Sequence, residues 1–274
     1  MHSNDTDAGT IPGTNTLSIG QRLESVLSTQ PVIMTMSVIS LILLWSVGAA
    51  LLPSSVLPAP TDVVQQMAVN AMGHQLWTDI WITLRRIFFA FLLAMSVSSV
   101  LGFTMALSKK ADHFFRIWVI LGMTMPALVL ILMSYMIVGL NDTAAIIGAA
   151  LPVIAILTIN IREGVGALDT RITAMARAFR ASNRQMLFAV ITPQVVPVLL
   201  ASTRFGIGLI WKMVLFVELL GRGSGIGYRI EFYYQMFNMK QVLAHALSFL
   251  VVMLIIEFGI IGQAERRLYR WRRQ

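Results

Sequence analysis

Cysteine is absent from all 274 residues, which excludes disulfide frameworks, thiolate metal sites and cysteine nucleophiles together. Charge is scarce as well. Asp, Glu, Lys and Arg make up 12% of the chain, against roughly 25% in soluble domains, so a water-facing globule of this length is not expected. With only four histidines, no HExxH and no zinc-type spacing, there is little from which to build a metal or catalytic centre. No catalytic residue and no metal ligand is assigned. The GxxxxGK[ST] pattern is missing too, so this chain has no P-loop of its own in which to cradle nucleotide phosphates. One glycine-dense stretch, residues 221–227 (GRGSGIG), imitates a nucleotide loop but does not fit GxGxxG. Whichever glycine starts the pattern, Ile226, Tyr228 or Ile230 stands where the third belongs. A flexible outer loop or re-entrant turn is the expectation there.

What is present in quantity is apolar sequence, at 57% of residues. It falls into six runs of the length that crosses a ~30 Å hydrocarbon core: residues 32–52, 87–107, 117–138, 144–161, 194–217 and 242–262. Surface helices of a soluble protein would show polar faces, and these runs show almost none. The expected fold is an all-α membrane protein of six transmembrane helices. Pro126 and Pro152 should kink the third and fourth spans, and the fourth is short enough to be broken or buried among the others. Residues 1–31 are polar and read as a tail. They lack the basic start and early apolar core of a secretory signal.

The net charge of +8 marks orientation. Residues 53–79 and 139–143 carry no Lys or Arg, whereas residues 108–116, 162–193 and 263–274 are rich in them. If the basic loops face the cytoplasm, the chain is multi-pass with both termini inside. It then divides into a cytoplasmic tail (1–31), a six-span domain (32–262) and a basic cytoplasmic tail (263–274). Basic residues dispersed among membrane-adjacent loops, without a binding motif, do not suit nucleic acid.

The loop 162–193 is too long for a simple connector. Residues 170–179 (TRITAMARAF) place Ile172, Met175, Ala176 and Phe179 at helical spacing, and Ser182 followed by Gln185 forms a capping box. That box predicts a second helix over 183–191, with Pro193 stopping it or opening the fifth span. Two short helices would present an apolar ridge, either to the membrane interface or to a soluble partner.

Ionisable residues inside spans are functional candidates because they are costly there. Lys212, beside Trp211, either snorkels to the outer interface or lines the path of an anion. Met123, Met125 and Met133, with Pro126, could flank such a path. Arg204 and Glu257 lie at matching depth in spans five and six and are candidates for a structural ion pair.

The stretch ITAMARAFRASNRQMLFAVITPQVVP resembles the cytoplasmic coupling loop of ABC importer permeases. Arg177, Ala181, Ser182, Gln185, Val190, Pro193 and Pro197 match that pattern, whereas Ala174, Arg180 and Thr192 replace its Glu, Gly and Leu. STRFGIGL around Arg204, VELLGRGSGIGYRI (217–230), LPAPTDVVQQM (57–67) and TLRRIFFAF (83–91) extend the likeness to the nitrate, sulfonate and taurine branch. The resemblance implies a homodimer of this chain in the bacterial cytoplasmic (inner) membrane. It also implies two cytoplasmic ATPase subunits that bind ATP and Mg, and an extracytoplasmic substrate-binding protein. The chain itself would hold no cofactor. Met175, Ala176, Phe179, Arg180, Ala181 and Ser182 would form the ATPase-coupling surface, and alternating access would carry a small anion of the sulfonate, taurine, nitrate or organic-acid type. The alternatives are a channel or ion-coupled transporter that needs no ATPase, or a membrane enzyme.

Overall fold

In hydrocarbon a backbone satisfies its polar groups only within a helix or a closed barrel, and the uncharged runs become helices. The computed structural model describes residues 30–261, and no strand occurs among them. The tails expected at 1–31 and 263–274 lie outside the described residues, apart from the start of the first helix. The helices are α1 (Gln30–Leu51), α2 (Pro60–Met72), α3 (His74–Leu107), α4 (Lys109–Thr124), α5 (Ala127–Val138), α6 (Asp142–Gly166), α7 (Thr170–Ala178), α8 (Asn183–Gln185), α9 (Thr192–Gly221), α10 (Ile226–Gln235) and α11 (Met239–Ile255). Two π-helical segments, Met186–Ile191 and Ile256–Ile261, join α8 to α9 and extend α11.

The chain divides into two compact units, residues 1–60 and 61–274. In the first, α1 is apolar on every side and its Trp45 Nε1 donates to the Pro58 carbonyl at 3.1 Å. This folds the following segment back onto the end of the helix. In the second unit α6 is the central helix, packed against α3, α4, α5 and α9. It is the most enclosed of the candidate spans, as its Ala144, Ala145, Ala149, Ala150 and Ala155 allow: small side chains let helix backbones approach where no hydrophobic effect drives them together. Gly102 of α3 marks a close approach to α6, since a Cβ there would meet Ile161 Cγ2 at 2.8 Å and the Thr158 carbonyl at 3.1 Å. Pro152 lies buried within the unbroken helix α6, in keeping with a span enclosed by others.

Five helices are long and apolar enough to cross a membrane, and a sixth span exists if the bent pair α4–α5 is taken as one. That pair corrects the expected kink in the third span. At Pro126 the chain does not bend within a helix but leaves it, and α4 and α5 meet at 101°. The residue before a proline is pushed out of the helical region, and Met125 accordingly sits at φ −66°, ψ 133°. The second span is also longer than its uncharged core, because α3 begins at His74 and carries Asp79, Arg85 and Arg86.

Gly102→Leu should lower thermal stability in detergent by about 1–3 kcal/mol through overpacking. Gly208→Ala, where an added Cβ meets nothing within 4 Å inside α9, should hold or raise the midpoint, since alanine is the better helix former.

Candidate functional site

The loop between α6 and α9 is built by local capping. Asp169 Oδ1 accepts from the Arg171 amide at 2.8 Å and starts α7. The helix ends in a paired closure: the Ala181 amide donates to the Ala176 carbonyl at 3.0 Å, and the Arg180 amide to the Arg177 carbonyl at 2.9 Å. That motif places its penultimate residue in the left-handed region, usually as glycine. Here it is Arg180, at φ 55°. Replacing the family's Gly therefore does not change the turn; arginine adopts the glycine geometry, at a cost of about 1–2 kcal/mol. The capping box is formed as expected, with the Ser182 amide donating to Gln185 Oε1 at 2.9 Å and the Gln185 amide to Ser182 Oγ at 3.3 Å.

Within this frame Ala176 is buried and Ala181 half-buried, while Ser182, Met175 and Phe179 face outward, Phe179 at 82% exposure. The expected second short helix is not a separate element. From Asn183 the chain runs through the π turn into α9 without a stop, so Pro193 opens the long helix rather than ending the short one. Proline removes one amide and crowds the carbonyl four residues back. The wider π turn accommodates it, and the Thr192 amide reaches back five residues to the Leu187 carbonyl. From Asn183 onward the loop and the fifth span are thereby one continuous rod, with α7 set off from it by the turn at Arg180.

Further along that rod, Ala201, Arg204, Phe205, Gly208 and Lys212 recur at intervals of three and four and so share one face of α9. With Leu209, and Glu257 from the second π segment, they line a cavity of about 480 Å³. The structure thus brings Arg204, Lys212 and Glu257 to one cavity. Lys212 Nζ also lies 5.7 Å from the Trp211 ring centroid, and Trp211 itself packs toward Phe249 of α11 at 6.2 Å. Met125 and Pro126 do not line this cavity; they form the exposed break between α4 and α5.

At the other end of α9 lies a cluster that inspection of individual spans missed. Arg86, buried to 1% exposure, uses all five of its N–H donors. Nε and Nη2 reach Asp142 Oδ1 at 3.1 and 2.8 Å. Nη1 reaches Glu218 Oε1 and the Ser224 carbonyl, both at 2.7 Å, and Nη2 also reaches Ser224 Oγ at 3.0 Å. Glu218, wholly buried, accepts from the Gly227 amide at 2.9 Å and from Thr83 Oγ1. Thr83 in turn accepts from the Ile226 amide at 2.9 Å, Asp79 from the Gly225 amide at 3.3 Å, and Arg229 Nε pairs with Asp79 at 2.7 Å. The free amides at the start of α10 are therefore capped from α3 and α9.

Of the two alternatives for GRGSGIG, a flexible loop or a turn, the structure shows a turn. The stretch is a pinned turn that cradles an anion, and the anion is the chain's own Glu218. Gly225 adopts φ +100°, and a Cβ there would lie 2.4 Å from Glu218 Oε1; at Gly227 one would lie 2.6 Å from Glu218 Cβ. The usable signal was that Arg86 and Glu218, of opposite sign, directly abut the apolar runs that begin at 87 and end at 217, and the structure joins the two.

A family signature described as binding-protein-dependent transport system inner membrane component matches residues 98–268. The chain belongs to that family: it is an ABC importer permease and an integral membrane transport component, not a soluble protein. Its relatives include a probable ABC transporter permease protein of Brucella melitensis, 27% identical over 79% of this chain and 87% of that one. The nitrate import permease protein NrtB of Synechococcus elongatus is 26% identical, over 83% of both chains. The taurine transport system permease protein TauC of Escherichia coli is 25% identical over 83% of this chain and 84% of that one. The chain is thus similar to permeases named for sulfonate, nitrate and taurine transport. Among solved structures, a chain of the MetNI methionine ABC transporter in an inward-facing conformation matches with a TM-score of 0.61 and 19% identity, over 73% of this chain and 99% of that one. It supports the same fold.

Arg86→Ala leaves Glu218 buried without its cation and should destabilise the chain by about 3–5 kcal/mol. The joint change Arg86→Met with Glu218→Met should cost less than the single change, and thermal unfolding in detergent compares the two. Arg180→Gly should raise stability by about 1 kcal/mol by relieving the left-handed arginine, read by the same assay.

Proposed function

We propose that this chain is one half of the membrane conduit of an ATP-driven importer, paired with a second copy of itself in a bacterial cytoplasmic membrane. Two cytoplasmic ATPase subunits bind ATP and Mg and supply the energy, and an extracytoplasmic binding protein delivers the solute. The chain does no chemistry and holds no cofactor. Its termini and the 162–193 loop face the cytoplasm, in keeping with the basic residues there. The six-span domain at 32–262 then forms the body that lipids surround.

The observation that carries this reading is the continuous helical rod. Met175, Ala176, Phe179, Arg180, Ala181 and Ser182 form a ridge held by two caps, and the helix leading from it contains Arg204 and Lys212 without interruption. A push on the ridge as the ATPases close moves a rigid element whose far half lines a charged cavity. That is the mechanical requirement for alternating access: the ridge, on α7 and its closing turn, stands at the head of the rod that lines the path. The cations Arg204 and Lys212 favour a small anion, and relatives named for nitrate and taurine transport agree with it. Trp211 stands beside the path, Met125 and Pro126 form the α4–α5 break outside its cavity, and Arg204 with Glu257 holds the inner halves of spans five and six together.

The test is reconstitution of the complete complex in liposomes with its binding protein, with candidate anions screened for stimulation of ATP hydrolysis. Phe179→Ala with Arg180→Glu should abolish solute-stimulated hydrolysis and weaken ATPase retention on purification. Solute flux through the chain without any ATPase would overturn the reading. Since the chain has no cysteine, Arg171→Cys should react only with a thiol reagent supplied from the cytoplasm, and Gln65→Cys only with one supplied from outside.

A further inference from the structure

The turn between α3 and α4 faces the C-terminal end of α6 across a second cavity, of about 610 Å³. It is lined by Met105, Lys109, Asp112, His113, Arg162 and Glu163, among others. Asp112 is buried, and two guanidiniums neutralise it: Arg116 Nη2 lies 2.5 Å from Oδ2, and Arg162 donates through Nε and Nη2. Two cations thus serve one carboxylate, and Arg162 Nη1 has no hydrogen-bond acceptor among the described residues. Lys109 and Lys110, at the start of α4, form no ion pair there either, and both are exposed. Within this group Lys109, Lys110, Arg116 and Arg162 outnumber Asp112 and Glu163.

The face of α4 that carries Lys110 continues as Phe114, Ile117, Trp118 and Leu121, at the four-, seven-, eight- and eleven-residue spacing of one helical stripe. Each is at least 50% exposed, Phe114, Ile117 and Trp118 at 64–67%. The stripe begins at the rim of the cleft, on the neighbouring face of α4, so two exposed lysines stand at the head of an exposed apolar stripe. Placed at the end of a span, they match a molecule with a phosphate head and hydrocarbon tails. A soluble anion would use the cations and leave the stripe idle. We propose that this end of α4, at the rim of the cleft, binds an anionic phospholipid, with Lys109 and Lys110 on its phosphate and Phe114, Ile117 and Trp118 along an acyl chain. The site stands on the membrane location of the chain and not on which solute it carries.

The experiment uses the full-length chain in mixed micelles, with phosphatidylglycerol and phosphatidylcholine offered in equal amounts and retention read by native mass spectrometry. Phosphatidylglycerol should be retained preferentially. Lys109→Gln with Lys110→Gln should reduce that preference about 10-fold or more, given the attraction of each lysine for an anionic headgroup. This variant leaves the Asp112 pairs intact, so it is expected to fold. Arg171→Gln with Arg184→Gln removes the same charge from the neighbouring loop and should leave the preference in place. Equal retention of the two lipids, an unchanged preference in the lysine variant, or an equal loss in the loop variant would each overturn the site. If millimolar inorganic phosphate displaces the bound lipid completely, the cleft is a free-anion site and the lipid assignment fails. Persistence of the lipid under phosphate supports it.

Discussion

The guanidinium of Arg86 is the interaction on which one end of the bundle depends. Sequestered from solvent, it touches α3, α6, α9 and the turn before α10 through a single planar group. A charge in hydrocarbon is costly, and a buried charge persists only where its partners are fixed and complete. Here five donors meet a fixed set of acceptors, and a carboxylate that would otherwise be stranded, Glu218, receives a cation, a hydroxyl and a backbone amide. Lysine could not reproduce this, since its ammonium lacks the flat fork that reaches Asp142 and Glu218 in different directions. The glycines of residues 221–227 follow from the same constraint: the turn must close directly on a carboxylate, and any side chain at Gly225 or Gly227 would occupy the space of Glu218.

The opposite end of the bundle is held differently. At the coupling loop no buried charge organises the chain. Local capping does so, through Asp169, Ser182, Gln185 and the closure at Arg180. Such an arrangement fixes the backbone while leaving Met175 and Phe179 uncovered. Between the two ends runs α9, joined to the end of the loop through a π turn rather than a break. One end of the rod is anchored by Glu218, and the other begins beside the exposed ridge. The cavity bearing Arg204, Lys212 and Glu257 lies between these two constraints.

Much of this was legible without coordinates. The apolar runs located the spans, though not the full length of α3 or the break between α4 and α5, because an uncharged stretch of that length has few folds open to it in a membrane. The capping box at Ser182 and Gln185 was readable because it depends on residues three apart. The break at Pro126 was only half legible: proline announces a disturbance, but whether the helix kinks or ends depends on what α6 offers the following segment. At Pro193 both a stop and the opening of the fifth span were open, and the structure shows the second; the π turn that joins α8 to α9 without a break has no local signal in the sequence.

The sequence by itself determined the class of molecule, its helical spans and the position of its exposed ridge, because these depend on composition and on spacings of three or four residues. Only the tertiary structure decided that Thr83 and Arg86 belong with Glu218 and with Gly225 to Gly227. Those partners lie more than 130 positions apart in the chain, and no local pattern specifies which buried charge meets which. The physical reason is that a helix spacing reports only its own face, whereas an ion pair in a low-dielectric interior is settled by how four helices pack at once.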